Sequence, residues 1–177
     1  MQGLEDEVIS FLLEEGERVL GNTEIMISLT PHDFFSKLVP YSFIKNKLDS
    51  SEHYLGAMTV SNMLTSQVKS QSDLNNPAYF VHMIELILNE DRDPNNIPLI
   101  KDYAEKTMLL KGFYPESFKV KPVAQTHFAR KALCHIGSTN NEPAYFIVAE
   151  NFEPYIYSLN YMRNLLGPKS SNIFLLN

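Results

Sequence analysis

Cysteine is almost missing from this 177-residue chain, which contains only Cys134. One cysteine excludes an internal disulfide framework, and no cysteine or histidine cluster has the spacing of a zinc finger. Such usage is typical of a reducing compartment, so the sequence predicts a cytoplasmic protein.

Long apolar runs are also missing. The longest purely apolar stretches are only a few residues, as in 146–149, whereas a membrane-spanning helix needs roughly 20. The first 20 residues carry six carboxylates, which is unlike a secretory signal. Fifteen basic against 21 acidic residues give a net charge of −6, which argues against nucleic acid or an anionic membrane as the main partner.

Glycine is scarce as well, with seven residues in the chain. The glycine-rich loops that hold phosphates do not occur, and neither do the Gly-x-Ser-x-Gly turn of many hydrolases, the His-Glu-x-x-His metal motif or the Glu-x-x-His pair of di-iron bundles. The sequence therefore predicts no catalytic residue, no metal and no cofactor.

What the chain does have is apolar residues spaced three and four apart, the period of an amphipathic helix. We predict an all-α, single-domain helical bundle of about six helices over residues 1–168, followed by a C-terminal tail over 169–177. The main helical patterns cover approximately residues 2–20, 51–70, 77–90, 97–111, 123–136 and 143–166.

Prolines and glycines predict where these helices are interrupted. Pro154 lies inside the last pattern and cannot donate a backbone hydrogen bond, so we expect a kink or break near 151–154. Pro40 is expected to end a short helix over 34–39, and Gly112 and Gly137 to end two of the longer ones.

Two other segments have distinctive patterns. Residues 24–29 alternate apolar and polar side chains, which is a weak strand signal. Residues 77–90 are apolar almost all round, which predicts a helix at the centre of the bundle.

The segment 109–116 reads Leu-Leu-Lys-Gly-Phe-Tyr-Pro-Glu. It resembles a helix-end motif, Leu-x-x-Gly-Phe-Phe-Pro-Glu or similar, of a group of uncharacterised bacterial all-helical proteins, and the similarity extends over about residues 99–136. The departures are Ala104 and Glu105 in place of Gly-Asp, His127 and Phe128 in place of a tyrosine pair, and Ala132 in place of the glycine that follows. The resemblance implies an all-helical bacterial domain, and it provides no activity from which a catalytic residue could be transferred.

Two pairs of side chains are candidates for ligand binding. His82 and Glu85 are three residues apart and would share a helix face; the plainer interpretation is the solvated edge of a buried helix. His127 and Cys134 would share a face with Arg130 and Lys131, where positive charge could lower the pKa of the thiol and favour a thiolate. The plainer interpretation there is a solvated basic face.

A ligand-binding corner built from Tyr114, Glu116 and Glu105 is a third possibility beside a purely structural role for that segment.

Tyrosines near the C-terminus are candidates for a protein interface: Tyr155, Tyr157 and Tyr161. Tyr155 and Tyr157 flank one apolar position, so at least one of them is expected to point away from the core. An exposed tyrosine face is typical of an interface, although tyrosine hydroxyls at the edge of a bundle can also simply contact water.

These patterns predict a non-catalytic protein-interaction or regulatory module that binds a protein partner or self-associates as a homodimer. The alternative is an enzyme or small-molecule-binding protein with a polar pocket inside the bundle.

Overall fold

The computed structural model describes residues 4–70 and 72–167. This part of the chain contains nine α-helices and one short 3-10 helix, joined by loops, and no strand. The helices are α1 Asp6–Leu20, α2 Thr23–Ser28, α3 Pro31–Lys45, α4 Ser51–Gln67, α5 Pro77–Leu88, α6 Ile97–Phe113, α7 Pro122–Thr139, α8 Ala144–Glu150 and α9 Phe152–Leu166. The predicted all-α class is confirmed, with more helices than the expected six. The tail 169–177 lies outside the described residues.

Polar side chains fix where several helices begin. The side chains of Asn22, Thr30, Ser50 and Asn76 each accept hydrogen bonds from backbone N–H groups in the first turn of α2, α3, α4 and α5. These N–H groups have no partner within the helix, so a capping oxygen stabilises the helix start.

One hydrophobic core connects all nine helices. Helix α6 lies deep in it, because Ile100, Tyr103, Ala104 and Met108 are fully buried. It packs against α4, α7 and α9, while α3 packs on α1, α4 and α9, and α8 bridges α4 and α7. Among the described residues, no helix is both long and apolar enough to cross a bilayer.

The break expected near Pro154 is confirmed, since α8 ends at Glu150 and α9 begins at Phe152. Pro154 is the third residue of α9, where a missing N–H costs little. The Asn151 side chain donates to the carbonyl of Ile147 at 3.0 Å and helps to close α8.

Local sequence signals failed at two other places. Residues 24–29 were expected as a weak strand, but Thr23–Ser28 form α2 because Asn22 caps it. Pro40 was expected to end a helix, but it lies inside α3, which continues to Lys45. Burial of residues on both sides of Pro40 against α4 and α9 outweighs the cost of the interrupted hydrogen bond.

The two glycines expected to end helices lie inside them. Gly137 precedes the last two residues of α7, and Gly112 is buried in the last turn of α6. A Cβ at Gly112 would lie 2.7 Å from Leu159 Cδ1 and 2.9 Å from Leu159 Cβ. Gly112 therefore allows α6 and α9 to approach closely at this point.

Helix α5 is not at the centre, as its composition suggested. It packs mainly on α6 and α7, and Val81 and Leu88 are more than half exposed. The bundle therefore presents apolar side chains along the outside of α5.

We predict that Gly112→Ala destabilises the protein by about 1–2 kcal/mol, because overpacking against Leu159 outweighs the gain in helix propensity. Urea unfolding followed by far-UV circular dichroism measures the change, with the exposed Ser138→Ala on α7 as the control. A Gly112→Ala protein as stable as the wild type would contradict the close packing of α6 and α9.

Candidate functional site

Two adjoining concavities follow the outer face of α7. The first has a volume of about 600 Å³ and lies between α7, the C-terminal ends of α5 and α8 and the loop after α5. The second, which is shallow and open to solvent, lies at the N-terminal end of α7. His127 lines both. We call the combined surface the α7 groove.

The sequence of α7 determines which of its side chains face this groove. Ala129, Ala132, Leu133 and Ile136 are fully buried against the core. Positions on the opposite side of the helix recur at spacings of three and four and face outward. Those that line the groove are Val123, His127, Arg130, Lys131, Cys134 and Ser138.

The structure separates the two candidate ligand-binding pairs. His127 and Cys134 both line the α7 groove, as their shared helix face predicted. His82 and Glu85 lie exposed on α5 and line neither concavity. Of the two pairs, only the pair on α7 therefore lies in a concave surface.

The first concavity has an excess of basic groups. Arg92, Arg130 and Lys131 line it with two carboxylates, Glu90 and Glu150. Within the described part of the chain, none of the three cations has a carboxylate oxygen within 4 Å. In a chain of net charge −6 this is a local surface that favours anions.

Cys134 lies exposed in the groove, but its environment does not favour a thiolate. Partial burial raises the pKa of the Cys134 thiol, and Glu150 raises it further, while Arg130 opposes both effects. The expectation of a lowered thiol pKa is therefore wrong, because desolvation outweighs the positive charge. Over residues 4–70 and 72–167, no three His, Cys, Asp or Glu side chains cluster closely enough to hold a metal ion.

The three candidate interface tyrosines do not share one surface. Tyr155 is fully buried, stacks on Phe43 with ring centroids 4.4 Å apart, and its hydroxyl lies 3.1 Å from His53 Nδ1. Its predicted place in an exposed interface is wrong, because its position on α9 faces the core. Tyr157 is 68% exposed and Tyr161 is half-buried.

A polar network around the buried Glu105, which we did not expect from the sequence, joins α4, α6 and α8. Glu105 on α6 is 4% exposed. Its carboxyl oxygens contact Ser66 Oγ at 2.6 Å, Gln67 Nε2 at 3.2 Å and the Tyr145 hydroxyl at 2.9 Å. Gln67 Nε2 also donates to Asp102 at 3.0 Å. The sequence contains one signal for this network: the Glu105 carboxylate lies three and four residues before apolar positions that are buried in the same helix.

The hydrogen bonding of Ser66 can accommodate either an ionised or a protonated Glu105. Ser66 Oγ lies 2.8 Å from the Met63 carbonyl and 2.6 Å from Glu105 Oε2, yet a hydroxyl has one proton to donate. If Glu105 is protonated, it donates to Ser66, which then donates to Met63. Burial raises the pKa of Glu105, although hydrogen bonds from Ser66, Tyr145 and Gln67 and the charge of Lys101 act in the opposite direction.

The predicted corner of Tyr114, Glu116 and Glu105 does not form one site. Glu105 is buried beside α8, whereas Glu116 accepts from Arg163 at 2.8 Å on the surface. Tyr114 packs on Phe113, with ring centroids 6.3 Å apart.

No protein-family model, curated protein or solved structure matches this chain. The resemblance of residues 109–116 to a helix-end motif of bacterial helical proteins therefore stays a prediction.

We predict that Cys134 reacts with iodoacetamide more slowly than free cysteine at neutral pH, because its raised pKa reduces the fraction of thiolate. Intact mass spectrometry measures the rate, and the protein has no second thiol to interfere. Labelling faster than free cysteine would contradict this environment.

Because the pKa of Glu105 is raised in the folded protein, we predict that stability depends on pH in a specific way. Between its ordinary pKa of 4.5 in the unfolded chain and the raised pKa in the folded protein, the folded state binds more protons. The free energy of unfolding therefore falls as pH rises through this interval.

Glu105→Gln removes this titration, so its stability relative to the wild type should increase as the pH rises above about 4.5. Urea unfolding at several pH values measures the difference, with the exposed Glu14→Gln as the control. A Glu105→Gln protein with the same pH dependence as the wild type would show that Glu105 is ionised throughout.

Proposed function

We propose that this protein is a non-catalytic interaction module, and that the α7 groove binds a segment of a protein partner. The observation that carries the proposal is a continuous surface with an exposed apolar end at Val123 and basic side chains at Arg92 and Lys131. Among residues 4–70 and 72–167, these two cations have no ion-pair partner. Exposed apolar residues bordered by charge are typical of docking surfaces.

The length of the groove supports a peptide segment over a small molecule. Its lining extends along α7 from Lys121 to Ser138, which at 1.5 Å per helical residue is roughly 25 Å. A helix of four to five turns or a shorter extended segment has this length. Small-molecule sites are more compact and bury most of the ligand surface.

The chemistry of the groove supports binding rather than catalysis. Its thiol, Cys134, has a raised pKa. Of its two histidines, His127 forms no hydrogen bond that would orient its ring within the described part of the chain, and His135 Nε2 is engaged by the Asp91 carbonyl at 2.6 Å. An activated nucleophile needs a base in hydrogen-bonding distance and a group that orients that base. The proposal keeps the cytoplasmic location predicted from the single cysteine.

The outer face of α9 is a second candidate surface. Tyr157, Tyr161 and Leu165 are spaced four apart and are at least partly exposed, so they form one stripe. Self-association through this stripe would make the protein a homodimer. The stripe lines none of the concavities described above, which is why the α7 groove is the leading candidate.

Site-specific photo-crosslinking tests the proposal. The photoreactive amino acid p-benzoylphenylalanine replaces Val123 in the groove, Tyr157 on α9, or the exposed Leu55 on α4 as the control. Each variant is expressed in the source cells and irradiated, and adducts are identified by mass spectrometry. We expect a defined protein adduct from the Val123 variant that the Leu55 variant does not form.

An adduct of twice the protein mass from the Tyr157 variant alone would instead support the homodimer. If the Val123 variant gives no adduct beyond those of Leu55, the groove is not a partner-binding surface and the proposal fails.

A further inference from the structure

From the polarity of the α7 groove we infer that the partner segment is acidic and amphipathic, with an apolar anchor against Val123 and Phe128 and carboxylates against Arg92, Arg130 and Lys131. This inference rests on the proposed function and specifies the partner that would bind.

The N-terminal end of the groove provides a fixed apolar surface. Val123 is 82% exposed, and the second concavity is lined mainly by its side chain and those of Pro122, Ala124 and Phe128. The Phe128 ring meets the Phe80 ring edge-to-face, with centroids 6.2 Å apart. Because Phe80 is buried, this contact holds Phe128 in place. A leucine or aromatic side chain of the partner would bury its surface here at low cost in ordering.

The other end provides charge that the protein itself does not neutralise. Arg130 Nε donates to the carbonyl of Ala149 at 3.0 Å, which orients the guanidinium group and leaves its terminal nitrogens without a hydrogen bond among the described residues. Arg92 and Lys131 form no ion pair or hydrogen bond there. Oriented guanidinium groups bind carboxylates in a bidentate geometry, so this end favours aspartate or glutamate.

The distance between the apolar end and the basic end of the groove sets the spacing between the anchor and the carboxylates of the partner. Val123 and Arg130 are seven residues apart on α7, which is about 10 Å along the helix axis. A helical partner would therefore carry its anchor and its carboxylates about two turns apart, and an extended one about three residues apart. Glu90 and Glu150 would repel a uniformly anionic polymer such as nucleic acid, so a mixed apolar and acidic segment fits the groove better.

Peptide selection by phage display tests this inference. The library contains random peptides of about 16 residues, which are long enough to span the groove as a helix. Peptides are selected on the wild-type protein and measured by fluorescence anisotropy. We expect enriched sequences with an aliphatic or aromatic residue and paired carboxylates at one of the two spacings.

Matched variants assign binding to the groove. Arg92→Glu/Lys131→Glu reverses two charges that form no ion pair among the described residues, and should weaken binding by about tenfold or more. Val123→Glu should do the same at the apolar end. Lys47→Glu/Lys69→Glu reverses two exposed charges elsewhere and should leave binding unchanged. Circular dichroism confirms that each variant is folded.

A charge exchange completes the test, because a misfolded protein cannot produce a gain. Peptides whose carboxylates are replaced by lysine should bind Arg92→Glu/Lys131→Glu more tightly than they bind the wild type. Enrichment of basic or uncharged peptides, no enrichment, or binding unaffected by the groove variants would overturn the inference. A crosslinked partner at Val123 together with any of these results would leave the proposed function standing and refute only the acidic segment.

Discussion

The burial of one face of α7 is the constraint on which the candidate site depends. Ala129, Leu133 and Ile136 are fully buried, and Gly137 lets the Phe146 ring of α8 approach, since a Cβ there would lie 3.1 Å from it. With that face fixed, the intervening positions have to face outward. The basic side chains, the histidine and the thiol of α7 thus come to one surface as a consequence of packing.

The pattern of apolar residues predicted the helical class and most helix starts, because both depend on local chemistry. Asn76 before Pro77, for example, satisfies the free N–H groups of α5 whatever the rest of the fold does. Helix ends and interruptions were less predictable. Pro40 and Gly112 have strong local preferences, but their places were decided by contacts with distant helices, and a single sequence does not contain these contacts.

The candidate site shows the same contrast between features that follow from local spacing and features that depend on distant contacts. The shared face of His127 and Cys134 follows from helical spacing alone, so the sequence predicted it. The direction of the thiol pKa shift did not follow, because it depends on burial by neighbouring elements and on Glu150 of α8. Glu105 was missed as a buried hub for a similar reason, since its partners Ser66 and Tyr145 are distant in sequence. Through Tyr145 this network also anchors α8, whose last turn lines the α7 groove.

The central claim is that the α7 groove is locally positive on an acidic protein, and a nitroxide spin label on Cys134 measures this directly. Collisions with the anionic relaxation agent chromium oxalate are compared with those of a neutral nickel chelate. A control protein carries the label at exposed Ile27→Cys in a Cys134→Ser background. We expect a higher ratio of anionic to neutral collisions at Cys134 than at the control. An equal or lower ratio would mean that the net charge of −6 dominates the groove, and would contradict the account.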